Sequence, residues 1–203
     1  VANLAVFASG NGSNFEAIVH ALQNTPHRVV CLISDQPKAF ALDRAKRLGI
    51  PVHVFRFRTP AERETSEKGI LEVLKNYKTD LIALAGFMRV LSPLFVDAYP
   101  KRIVNIHPSL LPKYPGVHGI RDSFLSGDPE LGITIHYVDY GVDSGPIILQ
   151  RSFKRAGTES LEEIEERIHR LEHEEYPRVL LQLLDSLEQD FHKESFKGKG
   201  VHT

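Results

Sequence analysis

With 203 residues and 42% hydrophobic content, the chain can bury one good core, and a single domain over residues 1–203 is the expectation. Its 25 Lys and Arg balance 26 Asp and Glu to a formal net charge of −1, so no long basic stripe points to a nucleic-acid partner. The one cysteine, Cys31 within "VVCLIS", excludes an internal disulfide framework and a cysteine-based zinc site, and reads as a buried structural thiol.

The start, "VANLAVFAS", lacks the charged region and the apolar stretch of about 7 to 15 residues that mark a signal peptide, and no run of about 18 apolar residues follows. A cytoplasmic chain without membrane contact is expected. Short apolar runs then recur at 3–9, 28–34, 51–55, 80–86 and 102–106, with helical patterns between them at 14–22, 40–49, 60–77 and 92–100. Thr59 reads as a helix N-cap with Pro60 at the first helical position. This alternation predicts an α/β fold with a doubly wound, mostly parallel sheet, whose near-continuous apolar strands are buried on both faces. After residue 130 two alternating strands, "GITIHYVDY" and "GPIILQRSF", joined through "GVDSG", predict an antiparallel C-terminal extension of the same sheet without a domain boundary. A long helix over 160–187 follows, with Ser160 and Glu163 at capping-box spacing and Pro177 expected to kink its middle. The tail "HKESFKGKGVHT" is expected to be polar and loose.

Three groups of residues carry chemistry. The first strand runs into "SGNGSNF", with Gly10 and Gly12 ahead of an amphipathic helix, and backbone amides at such a helix start make a phosphate site. Phe15 stands where a dinucleotide fingerprint needs a small residue, and "GK[ST]" is absent, so neither a full Rossmann cofactor site nor a nucleotide P-loop is supported. Asp35, at the end of the second strand, keeps a ribose-holding role open. A tight strand-to-helix turn is the plain alternative. "HRLEH", residues 169–173, matches the H-x-x-E-H pattern of zinc peptidases, with His169 and His173 as ligands and Glu172 as base. In a helix so rich in Glu, Arg and His the pattern also arises from composition alone, as part of a solvated face.

Asn105 and His107 lie two apart at a strand's carboxyl end, where open α/β sheets place ligands, so both side chains point the same way. Asp143, in the Gly-bounded loop after an extended strand, is within reach if that loop folds back. A carboxylate beside an imidazole favours the protonated, donor form. An amide donor plus an imidazolium suits an oxyanion in acyl transfer, with no protein nucleophile needed when the acceptor is itself an amine. The plain reading is a strand-end His paired to a turn carboxylate for stability.

"SGNGSN", "LAGFMRVLSP", "NIHPSLLPKYPG" and "GVDSGPII", in that order and spacing, resemble the folate-dependent phosphoribosylglycinamide formyltransferases of purine synthesis over about residues 2–185. The resemblance implies a formyltransferase fold with a nucleotide-binding half near 1–100, a folate and catalytic half near 101–185 and a polar tail at 186–203. It implies transfer of a formyl group from 10-formyltetrahydrofolate to the amine of glycinamide ribonucleotide, two small-molecule partners, no metal, no nucleic acid, and a monomer or homodimer. Asn105, His107 and Asp143 match the family's catalytic residues. Gly12, Ser13 and Asn14 match the loop for the ribose phosphate, and His169, Arg170, Leu171 and Glu172 a substrate wall in which Glu172 meets the glycinamide amine. Met88, Arg89, Val90 and Leu91 match the pteridine pocket, Arg63 a folate contact, and Asp139, Tyr140, Gly141, Val142 and Asp143 the loop over the pteridine. An apolar pocket suits a flat heteroaromatic ring.

Two stretches depart from the family pattern. Asp35 and Lys38 in "SDQPKAF" replace Asn and Asp, and "GVHGIRDSF" replaces a stretch built around a second histidine. Formyl transfer to methionyl-tRNA implies a further C-terminal domain and a basic surface, and formyltetrahydrofolate hydrolysis an N-terminal regulatory domain; neither is expected here. A non-catalytic folate or nucleotide binder is the rival of a different class, against which the three polar catalytic positions argue.

Overall fold

The computed structural model describes residues 1–197. Strands β1 (Asn3–Phe7), β2 (Arg28–Ser34), β3 (Val52–Val54), β4 (Leu81–Leu84) and β5 (Ile103–His107) are parallel, and β6 (Glu130–Tyr137) and β7 (Ile147–Lys154) extend them antiparallel. The strand order is β3-β2-β1-β4-β5-β6-β7, so the winding reverses between β1 and β4. Ligand crevices of open α/β sheets form at such a switch point, outside the carboxyl ends of the strands.

The helices α1 (Ser13–Leu22), α2 (Phe40–Leu48), α3 (Pro60–Asn76), α4 (Pro93–Ala98), α5 (Gly119–Leu125) and α6 (Leu161–Lys197) complete the element set. Leu4 and Val6 point to a core shared with Ile18, Leu32, Ile133 and Leu180, under α1 and α6. Ala5 and Phe7 point the other way, to Ile33, Ile70, Leu74 and Phe95 under α3 and α4. Burial on both faces explains why these strands read as unbroken apolar runs. Cys31 lies in the second core, and burial pushes its thiol up to about 12.

Side-chain caps set three of the six helix starts among the described residues. Thr59 accepts the Glu62 amide at 3.1 Å ahead of Pro60, and Ser92 accepts the Phe95 amide at 3.2 Å ahead of Pro93. Ser160 and Glu163 close the expected capping box, at 2.7 and 3.2 Å. Pro177 is carried inside α6, which stays helical through it. Next to it the fully buried Tyr176 hydroxyl reaches the carbonyls of Leu84 (2.9 Å) and Val104 (3.1 Å), joining α6 to the ends of β4 and β5.

One element goes beyond the sequence reading and one expectation needs correction. Residues 119–125, assigned no element from the sequence, form α5. The tail, expected to be loose from residue 192, continues α6 to Lys197. Its Lys193, Glu194 and Lys197 are good helix formers, which favours the extension. The rest of the expected tail, 198–203, lies outside the described residues. Among the described residues no helix is long and apolar enough to cross a membrane.

Candidate active site

β5 delivers Asn105 and His107 to the carboxyl edge of the sheet, with Asn105 in register with Leu84 on one side and His136 on the other. Beyond His107 the chain enters the proline loop, whose Leu111 to Pro112 bond is cis. The loop is pinned from β6: the Thr134 hydroxyl donates to the Ser109 carbonyl at 2.7 Å and accepts the Leu111 amide at 3.0 Å. Ser109 in turn bonds the carbonyls of Lys113 (2.7 Å) and Tyr114 (3.1 Å).

This loop sets the imidazole. His107 Nε2 donates to the Tyr114 carbonyl at 2.7 Å, so that nitrogen carries a hydrogen. Nδ1 faces Asp143 Oδ2 at 3.4 Å. Both ring nitrogens therefore face acceptors, which suits the doubly protonated ring. Gly119, at the start of α5, packs so close that a Cβ there would lie 2.9 Å from His107 Nε2.

Asp143 does fold back, as the Gly-bounded loop suggested. It sits at φ 52°, and its Oδ2 accepts the Gly116 amide at 2.9 Å. Burial raises the Asp143 pKa, but the facing His136, the Gly116 amide and the charge of His107 together outweigh burial and leave it below the ordinary carboxylate value. Asn105 Nδ2 lies 3.2 Å from His136 Nε2 and 3.4 Å from Asp143 Oδ1. His136 Nδ1 meets the Tyr137 carbonyl at 2.8 Å, so Nδ1 holds a hydrogen, and Nε2 faces both Asn105 and, at 3.7 Å, Asp143 Oδ1.

The glycine loop reaches the same cleft from β1. Gly12, at φ 78°, caps α1 without a side chain, and a Cβ there would lie 2.6 Å from the Ala41 Cβ. Ser13 pairs with His173 Nε2 at 3.0 Å, and Asn14 donates to Glu172 at 3.2 Å while its Oδ1 is buried without a hydrogen-bond partner. Glu172 also meets His169 Nδ1 at 3.1 Å. That bond raises the His169 pKa, against the opposing effect of burial, whereas burial lowers that of His173.

These parts enclose a cavity of about 420 Å³ lined by residues 10–14, 84–91 and 105–108, with Gly116, His136, Asp139, Gly141, Val142, Asp143, His169 and Glu172 among its walls. Arg170, Leu171 and Tyr140 lie outside this lining: Arg170 is exposed, Leu171 packs on the core, and the Tyr140 hydroxyl donates to Asp97. Arg63 borders a neighbouring cavity that shares Met88, Arg89 and Val90 with the first.

Two of the alternatives that the sequence leaves open fail on geometry. Asp35 has no face for a ribose, because its side chain is fully buried and taken by Ser9, Arg89 and Gln36. His169 and His173 bond to different partners, Glu172 and Ser13, and do not gather as metal ligands. Among the described residues a ligand-like trio occurs instead at His27, Asp185 and Glu188. There His27 Nδ1 accepts the Ala2 amide at 3.1 Å, so Nε2 carries the hydrogen and faces Asp185 at 2.9 Å as a donor.

The sequence reading overlooked His136, Thr134 and Gly119. In an alternating strand the polar half reads as the solvent face, but here Thr134 and His136 are buried beneath the proline loop and Asn105. A Thr and a His where a solvent face would carry Lys or Glu is the signal that distinguishes the two cases.

The formyl transferase family profile matches residues 2–180. The chain is 46% identical over 182 residues to the phosphoribosylglycinamide formyltransferase of Bacillus subtilis (strain 168), covering 89% of this chain and 93% of that one. It is 40% identical over 180 residues to the Escherichia coli (strain K12) protein of the same name, covering 88% and 85%. The crystal structure of glycinamide ribonucleotide transformylase 1 from Geobacillus kaustophilus superposes with a TM-score of 0.84 at 47% identity, over 90% of this chain and 98% of that one.

Proposed function

The chain belongs to the formyl transferase family of enzymes, and on that premise we propose that it transfers a formyl group from 10-formyltetrahydrofolate to the amine of glycinamide ribonucleotide, in purine biosynthesis. The observation that carries this reading is the meeting of Asn105, His107 and Asp143, with separations of 3.4 Å, on one cavity that the glycine loop also lines.

In the proposed reaction the ribonucleotide phosphate rests on the residue 12–14 amides at the start of α1, where unpaired N–H groups and the helix dipole favour an anion. Glu172 holds the amine side, and the unpartnered Asn14 Oδ1 is an acceptor for a substrate N–H or O–H. The pteridine lies along Met88, Arg89, Val90 and Leu91 under residues 139–143, with Arg63 toward the tail of the folate. Met88 and Val90 are more than half exposed, and apolar groups at a cleft mouth gain from covering a flat ring.

The amine nitrogen attacks the formyl carbon, a C–N bond forms, and charge develops on the formyl oxygen. Asn105 Nδ2 turns to this oxygen the hydrogen that otherwise faces Asp143 Oδ1 at 3.4 Å. His107 Nδ1 supplies the second donor, since 3.4 Å to Asp143 is too long for a full hydrogen bond and leaves this N–H to turn to the substrate oxygen. Asp143 keeps His107 charged and helps carry the amine proton, through a water, to the folate nitrogen as its bond to the formyl carbon breaks.

The test follows loss of 10-formyltetrahydrofolate with the ribonucleotide, with water alone and with charged initiator tRNA. Loss that depends on the ribonucleotide supports the proposal, and loss with water alone or only with tRNA overturns it. In His107→Ala and Asp143→Ala turnover is expected to fall by about 100- to 1000-fold with the fold retained, the cost of losing one oxyanion donor or its support. Wild-type rates in either folded variant would remove these residues from the mechanism.

A further inference from the structure

Asp35 is fully buried at the end of β2, away from the reacting atoms, yet both of its oxygens are spent on residues that lead to one stretch of the cleft wall. Oδ2 accepts from Arg89 Nε at 2.6 Å and from Gln36 at 3.1 Å. Oδ1 accepts from the Ser9 hydroxyl at 2.5 Å, and the same Ser9 oxygen accepts the Met88 amide at 2.9 Å. Ser9 also donates its own amide to the Gly86 carbonyl at 3.1 Å. One carboxylate thus holds the backbone of residue 88 and the side chain of residue 89, and Arg89 lines both neighbouring cavities.

We infer that Asp35 is a positioning residue for the folate cosubstrate: through Arg89 and through Ser9 it holds the residue 86–91 wall in the shape that receives the folate. The inference rests on the proposed formyl transfer for the identity of the cosubstrate. A buried carboxylate bonded to a guanidinium and a hydroxyl is a strong fixing point, because charge-assisted hydrogen bonds in a low dielectric are short and directional. Removing it leaves the Arg89 guanidinium without its counter-charge and the Ser9 hydroxyl without its acceptor. Asparagine is a gentler change. Its oxygen accepts from Arg89 and its amide donates to the Ser9 oxygen, so both contacts persist while the charge and the bond given by the Ser9 hydroxyl are lost.

The two variants therefore separate geometry from charge. In steady-state assays Asp35→Ala is expected to raise the KM for 10-formyltetrahydrofolate by about tenfold or more, the size of a lost charged hydrogen bond, with the ribonucleotide KM and kcat within about twofold of wild type. Asp35→Asn is expected to recover more than half of that rise on a logarithmic scale. Arg89→Ala added to Asp35→Ala is expected to cost less than the sum of the single changes, because both act on one contact. Each variant is first checked for a native circular dichroism spectrum, and Asp35→Asn carries the test alone if Asp35→Ala does not fold. An unchanged folate KM in folded Asp35→Ala, or in Asp35→Asn as well as Arg89→Ala, overturns the inference, as does a rise confined to the ribonucleotide KM. Absence of ribonucleotide-dependent turnover in the wild type overturns the proposed function instead, so the two failures are distinct. Tetrahydrofolate binding, followed by its own absorbance in equilibrium dialysis, then still decides the positioning role, with the same ranking of variants expected.

Discussion

Residues 10–14 and residues 138–145 border one cleft from opposite sides, but the body of the protein holds the first while the second is tied largely by its own side chains. On the first side the Gly10 carbonyl accepts the Ala41 amide at 3.0 Å, Arg44 reaches the Asn11 carbonyl and side chain at 2.9 Å each, and α6 supplies His173 and Glu172. On the second side Asp139 takes the Gly141 amide at 2.9 Å and the Ser144 hydroxyl at 2.7 Å, both within the loop. Its links outward run from the Val138 amide to the Ile103 carbonyl at 2.9 Å, from the Tyr140 hydroxyl to Asp97, and from Asp143 to Gly116, Asn105, His107 and His136. The difference fits the two tasks proposed for them. A phosphate would be held by backbone amides, which only a prebuilt loop aims correctly, whereas a carboxylate acting in catalysis needs one side chain in place.

Gly12→Ala attacks the built side and carries the largest expected effect. The substitution forces an alanine into φ 78° and puts its Cβ 2.7 Å from the Ala41 Cα, in backbone that cannot rotate away. Left-handed strain and overpacking together are expected to cost about 2 to 4 kcal/mol of stability, and displaced amides to raise the ribonucleotide KM at least about tenfold. Urea denaturation and steady-state kinetics measure both. A variant that keeps wild-type stability shows that residues 10–14 adjust as freely as the opposite loop.

The pH dependence of stability probes the second side. The folded Asp143 pKa lies below its ordinary 3.8, so folding favours the ionised carboxylate. Its contribution is then fully present above the unfolded value near 3.8 and lost as the pH falls through the lower folded value. Asp143→Asn is expected to unfold about 1 to 3 kcal/mol more easily than wild type at pH 7 and 5, as for a hydrogen bond to a charged group. The gap should shrink below about pH 4 as the wild-type carboxylate takes up its proton. A gap that stays constant down to pH 3 places the effect of Asp143 in packing instead of charge.

The same contrast explains what could be read from the chain. The parallel strands, the glycine loop and the pair at 105 and 107 follow local rules, because burial on both faces, a helix start and a strand end each leave a pattern over a few neighbours. Asp143 was legible only as a carboxylate in a Gly-bounded loop; that it turns back onto His107 depends on the Gly116 amide, which is remote in sequence. α5 was missed because its seven residues begin at a glycine after an uncapped His118 and show little periodicity. Asp35 stayed ambiguous for a related reason. A carboxylate at a strand end has the same local look whether it faces a ribose or, as here, an arginine 54 residues away.

Tyr140→Phe removes a single outward tie of the second loop and carries the smallest expected effect. The Tyr140 ring is more than half exposed, and the bond of its hydroxyl to Asp97 raises its pKa, so the tie is made by a protonated phenol at any neutral pH. A solvent-exposed hydrogen bond exchanges readily with water, so the stability change should stay within about 0.5 kcal/mol. The effect on the folate side should be larger than that on stability, because the loop proposed to cover the pteridine has to be ordered over it on binding, and a lost tie leaves more freedom to remove. About a two- to fivefold rise in the 10-formyltetrahydrofolate KM is expected, with kcat and the ribonucleotide KM near wild type. Equal changes in both KM values would mean that residues 138–145 serve the whole cleft, and the division between a prebuilt phosphate side and a tied-down folate side would then be drawn in the wrong place.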